Sequence, residues 1–212
     1  MQKKVILING PPGSGKDTAT AFAKAAIDGK PSRGKFVGHD VAHLKFADPL
    51  KAAAHVLYGI PHSADYYEKE FGYEWKNNPQ PEFFGLIPRS VYISLSEEYA
   101  KEKGGASFFG KIAARRIRLD KRNDVFIFSD SGFADEAIPV IREVGIDNVL
   151  LISLERSGHN FAGDSRGYIS GTLCVQYPKL NHVRLPNNQD KMLLRTLIRG
   201  TVQPWLDIED GH

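Results

Sequence analysis

Two short runs of consecutive apolar residues, Val5-Ile6-Leu7-Ile8 and Val125-Phe126-Ile127-Phe128, are bounded by turn residues. That is the pattern of strands buried on both faces of a parallel sheet. Val149 to Leu154 reads as another buried strand, with Val41 to Ala47 and His182 to Leu185 as further strands. Helices are predicted over Asp17 to Ile27, Pro49 to Tyr58, Arg89 to Lys103, Asp135 to Val144 and Asp190 to Val202, and Phe109 to Arg122 fits a helical wheel. Asp48 is the expected N-cap of the second helix, with Pro49 at its first position. Gly104-Gly105 and Gly145 are expected to end two others, and Pro139 is tolerable only near a helix start. Residues 60 to 88, rich in aromatics, Pro and Asn, lack periodicity and read as an irregular insertion. The polar, glycine-rich stretch from Arg156 to Tyr177 reads as a lid. Strands alternating with helices predict one α/β domain over residues 1–212, with an insertion at about 48–122 and a lid at about 156–177.

The 42% hydrophobic and 25% charged content is ordinary for a globular protein and excludes wholesale disorder, collagen-like repeats and coiled coil. A net charge of +3 is too small for a dedicated polyanion binder, so nucleic acid is not expected as the main partner. One cysteine, Cys174, excludes an internal disulfide and a cysteine-rich zinc site, and reads as a small packing residue. Seven histidines, His39, His43, His55, His62, His159, His182 and His212, show no metal-ligand spacing and receive no role. The apolar run near the amino terminus is too short for a signal or a membrane span, and a reducing cytoplasm is the expected setting.

Gly10-Pro11-Pro12-Gly13-Ser14-Gly15-Lys16 fits the G-x-x-x-x-G-K part of the phosphate-binding loop, with a strand before it and a helix after it. Glycines let backbone N–H groups converge on phosphate oxygens, the helix adds its positive N-terminus, and Lys16 neutralises the β and γ phosphates. Asp17 replaces the usual Ser/Thr after the lysine, and Thr18 follows one place later. Asp130 ends the strand 125–128, where P-loop enzymes place the carboxylate that orients hydrated Mg²⁺.

Gly15-Lys16-Asp17-Thr18 together with Lys45-Phe46-Ala47-Asp48-Pro49-Leu50-Lys51 resembles the phage-type deoxynucleoside monophosphate kinases, within the P-loop nucleoside monophosphate kinase superfamily. Arg89 matches that family's Arg-led helix, and Asp130 with Glu136 its acid-ended strand followed by Glu. The resemblance is firm over 5 to 51 and 125 to 156. It implies a P-loop kinase three-layer fold: a central parallel sheet, a helical acceptor-binding insertion and a lid. It also implies ATP as co-substrate and Mg²⁺ held through water by Asp130, with Asp17 or Thr18 as further candidates. Thr18 would contact the α phosphate. Phe46, Asp48, Lys51 and Arg89 are then the acceptor-binding candidates, Arg156 and Arg166 the lid arginines, and Lys16, Arg89, Arg116 and Arg156 the catalytic set. Two departures bear on acceptor specificity: Gly132 stands where the family often has arginine, and Arg166 where it often has histidine.

Several residues keep two readings. Asp48 is equally a plain helix cap, Lys51 a solvated helix residue, and the aromatics Tyr66, Tyr67, Phe71, Tyr73, Trp75, Phe83 and Phe84 an insertion core or a base platform. On the wheel Lys111, Arg115, Arg118 and Arg122 share one face, while Arg116 falls near 340°, among apolar residues, and needs an anionic partner. The expected activity is transfer of the γ-phosphoryl group of ATP to a deoxynucleoside 5′-monophosphate. A P-loop kinase of another small metabolite and a nucleotide-binding ATPase or switch are its rivals. A homodimer is compatible with all three.

Overall fold

The computed structural model describes residues 2–28 and 40–207; His39 and His212 fall outside them. Its sheet contains β1 (Lys4–Asn9), β2 (Val41–Leu44), β3 (Val125–Phe128), β4 (Val149–Glu155) and β5 (Asn181–Pro186), in the order β2-β3-β1-β4-β5. All four pairings are parallel. The helices are α1 (Lys16–Asp28), α2 (Asp48–Leu57), α3 (Ala64–Phe71), α4 (Pro88–Ser94), α5 (Glu102–Gly104), α6 (Phe108–Leu119), α7 (Ala134–Val144), α8 (Ser170–Gln176) and α9 (Lys191–Asp207).

The unbroken apolar runs are explained by burial on both sheet faces. Val5, Leu7, Phe126, Phe128, Val149 and Leu151 face a core shared with α6, α7 and α8, whereas Ile6, Ile8, Val125, Ile127, Leu150 and Ile152 face one shared with α1 and α9. Alternate residues of one strand thus serve two cores. A third cluster, with Ala54, Tyr67, Trp75, Phe83 and Tyr92, sits inside the insertion.

The structure corrects several boundaries. The second strand stops at Leu44 rather than Ala47, because the chain turns at Lys45–Ala47 and α2 begins at Asp48 itself. Asp48 is therefore not an N-cap; its carboxylate accepts the Lys45 N–H at 3.0 Å and braces the turn. Residues 60–88 are more regular than expected: α3 is capped by Ser63, whose Oγ accepts the Tyr66 N–H at 3.2 Å. Helix 89–103 changes character midway, with Leu95–Lys101 wound as a π-helix between α4 and α5. Pro139 lies inside α7 at its sixth residue, beyond the first turn where proline's missing N–H has no cost, and α9 continues past Val202 and through Pro204.

Arg116 is the main misplacement. The wheel puts it on a buried arc, yet it is exposed. The buried face of α6 is Phe109, Gly110, Ala113, Ala114 and Ile117, centred at roughly 70° with Phe109 at zero, and Leu119 is left exposed. Gly110 explains the rotation: a Cβ there would lie 2.2 Å from the Glu136 carbonyl oxygen, so α6 presses its small residues onto α7.

Candidate functional site

Because every strand is parallel, the carboxyl ends of β1 to β5 share one edge, and the loops that follow them meet there. Asn9, fully buried at the end of β1, knots three of these segments. Its Nδ2 donates to the Ser131 carbonyl at 2.7 Å and the Gly167 carbonyl at 2.9 Å, and its Oδ1 accepts the Ile169 N–H at 3.2 Å. As the last residue of an apolar run, Asn9 carried no signal in the sequence beyond being a polar group where burial was expected.

The glycine loop, residues 10–15, turns from β1 into α1. Gly13 and Gly15 have φ of 73° and 92°, which only glycine adopts without strain. Lys16 Nζ donates to the carbonyls of Gly10 and Pro11, both at 2.8 Å. A collar grips the loop from outside: Arg156, expected as a lid arginine, is joined by His159 and Asn187, neither of which was expected there. Arg156 Nη1 donates to the Gly13 carbonyl at 2.8 Å, His159 Nδ1 to that of Pro12 at 2.9 Å, and Asn187 Nδ2 to that of Ser14 at 2.8 Å. His159 and Asn187 lie against Gly13 and Gly15 so closely that a Cβ on either glycine would collide with them.

Beside the loop opens a cleft of about 810 Å³. Its wall includes Gly13, Gly15, Lys16, Asp17, Thr18, Phe46, Lys51, Arg89, Asp130 and Arg166 from the expected set, and so brings most of that set together. Asp48, Arg116 and Arg156 are not part of this wall. Arg116 instead borders a separate surface groove with Ile112, Arg115, Leu119 and Asp120, apart from the residues that line the cleft. Gly10 and Ser14 support the loop from behind: a Cβ on Gly10 would meet Ser14 Oγ at 2.6 Å. The insertion aromatics Tyr67, Trp75 and Phe83 are buried as its core, whereas Tyr66, Phe71 and Phe84 are exposed.

The cleft is densely charged and largely self-paired. Glu68 accepts from Lys51 and Lys76, both at 3.0 Å, and Lys45 donates to Asp65 at 2.8 Å. Asp164 accepts from Arg166 Nε at 2.8 Å and Nη2 at 2.5 Å, with Arg89 Nη2 4.0 Å away. The Arg166 pairing holds the Asp164 carboxyl down to about 2. Burial, then the neighbouring Arg166 guanidinium, lowers Lys16 from 10.5 to about 8. Burial, then the charge of Asp130, pushes Glu136 up from 4.5 to about 8. Glu136 and Lys101 also face the cleft, and Lys101 Nζ lies 4.1 Å over the Phe133 ring with Glu97 as its ion partner.

Among the described residues no group of three or more His, Cys, Asp or Glu side chains is arranged to hold a metal. Both Asp130 oxygens already accept backbone N–H groups, from Phe46 and Ala47, which fits contact through water better than direct ligation. Thr18 and Asp17 are the oxygen-bearing side chains on the cleft wall immediately after Lys16. No helix among these residues is long and apolar enough to cross a membrane.

No family model and no curated protein matches the sequence. Among solved structures, an unliganded sugar kinase from Janibacter sp. HTCC2649 is similar over 98% of this chain and 96% of its own, at 15% identity and a TM-score of 0.39. A likeness that remote bears on neither activity nor substrate.

Proposed function

We propose that this protein is a P-loop kinase that moves the γ-phosphoryl group of ATP onto a deoxynucleoside 5′-monophosphate. The observation that carries this reading is the meeting, in one cleft, of Lys16 and its glycine loop with Arg89, Arg166 and Lys51 from three other segments. Phosphoryl transfer asks little covalent chemistry of the protein; it needs two phosphates brought in line and their charge neutralised. The glycine-loop amides and Lys16 hold the donor tail, and Arg166 adds a cation beside them. Lys51 and Arg89, on α2 and α4 of the insertion, face the same space from the acceptor side. Mg²⁺ arrives with ATP, and Thr18, Asp17 and, through water, Asp130 are the groups that would orient it and share its charge neutralisation. Segment 156–169, already hydrogen-bonded to the loop through Arg156 and His159, is suited to cover the donor and exclude water. The whole chain then works as one kinase domain, its insertion supplying the acceptor site, and the single cysteine suits a reducing cytoplasm.

The test is an ADP-release assay over the deoxynucleoside and ribonucleoside monophosphates, with a sugar arm and a no-acceptor control. Turnover with at least one deoxynucleoside monophosphate well above the control supports the reading. ADP release that ignores every acceptor identifies an ATPase or switch instead, and turnover confined to the sugar arm a different metabolite kinase.

A further inference from the structure

Arg166 is clamped at both ends of its side chain. Its stem crosses Gly132 so closely that a Cβ there would lie 2.6 Å from Arg166 Cγ and Cδ and 2.9 Å from Cβ. The Gly167 N–H donates to the Gly132 carbonyl at 3.2 Å and laces the two backbones together beside the stem. Gly132 is not among the glycines with positive φ, so its backbone does not call for glycine; the room for Arg166 does. At the far end Asp164 takes the guanidinium side-on through Nε and Nη2 and also accepts the Arg166 backbone N–H at 3.0 Å. The Asp164 side chain is only 7% exposed.

The other cleft arginines are held differently. Arg89 is 45% exposed and 4.0 Å from Asp164, and Arg156 is spent on the outside of the glycine loop. Arg166 shares the cleft wall with Lys16, and its charge is one cause of the lowered Lys16 pKa. Arg166, immobilised on the wall that also carries Lys16, adds a second fixed positive charge toward an anion bound in the cleft. Fixing the long side chain in advance removes the ordering cost that a free arginine would meet on binding.

We propose that Gly132 and Asp164 are positioning residues whose joint task is to fix Arg166 beside Lys16 as a preset binding group for the terminal phosphate of a nucleoside triphosphate. This rests on the nucleotide-binding part of the function proposed above and is independent of which acceptor is used. It also gives a use to the glycine at 132: an arginine delivered from the 156–169 segment can reach the cleft only if position 132 has no side chain.

The test is a double-mutant cycle on the full chain, read by calorimetric titration of ATP with Mg²⁺ and, separately, by turnover with the monophosphate panel. Arg166→Ala and Gly132→Ala are each expected to weaken ATP by about tenfold or more. In the Arg166→Ala background, Gly132→Ala should add clearly less, about threefold at most, since the Cγ and Cδ it displaces are gone and only the 2.9 Å approach to Cβ remains. Equal loss from Gly132→Ala in both backgrounds would reduce it to a general packing defect and overturn the proposal, as would unchanged ATP affinity in a folded Arg166→Ala protein. If Gly132→Ala does not fold, Asp164→Asn enters the same cycle with the same expectation, because the amide keeps the volume and loses the charge. A holding cycle without turnover on any monophosphate supports the positioning and sinks the acceptor reading alone. No ATP binding by the unaltered protein overturns both.

Discussion

Asp130 accepts the backbone N–H of Phe46 at 2.8 Å, with its second oxygen on the N–H of Ala47 at 3.0 Å. The end of β3 is thereby tied to the turn after β2, and Phe46 is seated with its ring 4.5 Å from that of Phe128. Burial raises the Asp130 pKa, and the two amide donors oppose it. Asp130→Asn leaves one carbonyl oxygen for two donors and sets an NH₂ against the other N–H. It should therefore cost roughly 1–3 kcal/mol of stability. Chemical denaturation measures this, and the acceptor KM should rise with it. A raised Mg²⁺ requirement at unchanged stability would instead mark Asp130 as chiefly an organiser of the metal.

Lys16→Met should abolish phosphoryl transfer while raising thermal stability in the absence of nucleotide. The folded protein holds this lysine at about 8 instead of 10.5, so the unfolded chain binds the proton more tightly between those values. Stability then rises with pH across that window in the parent protein, and methionine removes that part of the slope. Melting curves from pH 7 to 10 on both proteins check the sign. A variant no more stable than the parent at pH 7 would show that the two loop carbonyls fully compensate the buried charge.

Glu136 gives the opposite slope. With a folded pKa of about 8 against 4.5, its contribution is intact below 4.5 and is lost as pH rises through 8, because the folded state keeps a proton that the unfolded chain releases. Glu136→Gln should flatten the decline between about pH 5 and 8 and melt higher than the parent at pH 8. Equal pH profiles for the two proteins would mean that Glu136 is ionised in the fold, with Lys101 as its counter-ion.

Arg116→Ala should leave turnover and melting temperature close to those of the parent, since the side chain is exposed and lies outside the cleft wall. Arg89→Ala should lower kcat/KM by about 10² in the same assay, as loss of a charged phosphate contact does. Comparable losses from the two substitutions would contradict the placement of α6.

Asn187→Ala removes the donor to the Ser14 carbonyl and should loosen the glycine loop without removing a charge. ATP affinity is expected to fall by about threefold to tenfold with kcat little changed, a split that steady-state kinetics resolves. A fall in kcat at constant affinity would place Asn187 in the chemistry instead of in the collar.

What the sequence determined by itself was local: the buried strands, whose apolar runs need only their own composition to be read, and the glycine loop, where a turn, a lysine and a helix start lie within a few residues. The cleft's contacts between separate elements, such as Lys45 with Asp65 and Lys51 with Glu68, were decided by tertiary structure. Gly132 was an apparent gap and Asn9 the end of a strand, and each acquires its part only when segments more than thirty positions apart are brought together; Asp164 pairs with its close sequence neighbour Arg166, and tertiary structure decides only that the pair lies on the cleft wall. Arg116 shows the same limit from the other side. A helical wheel assigns angles but not the face that packs, and here close backbone approach at Gly110 outweighed the larger apolar side chains of Ile112 and Leu119.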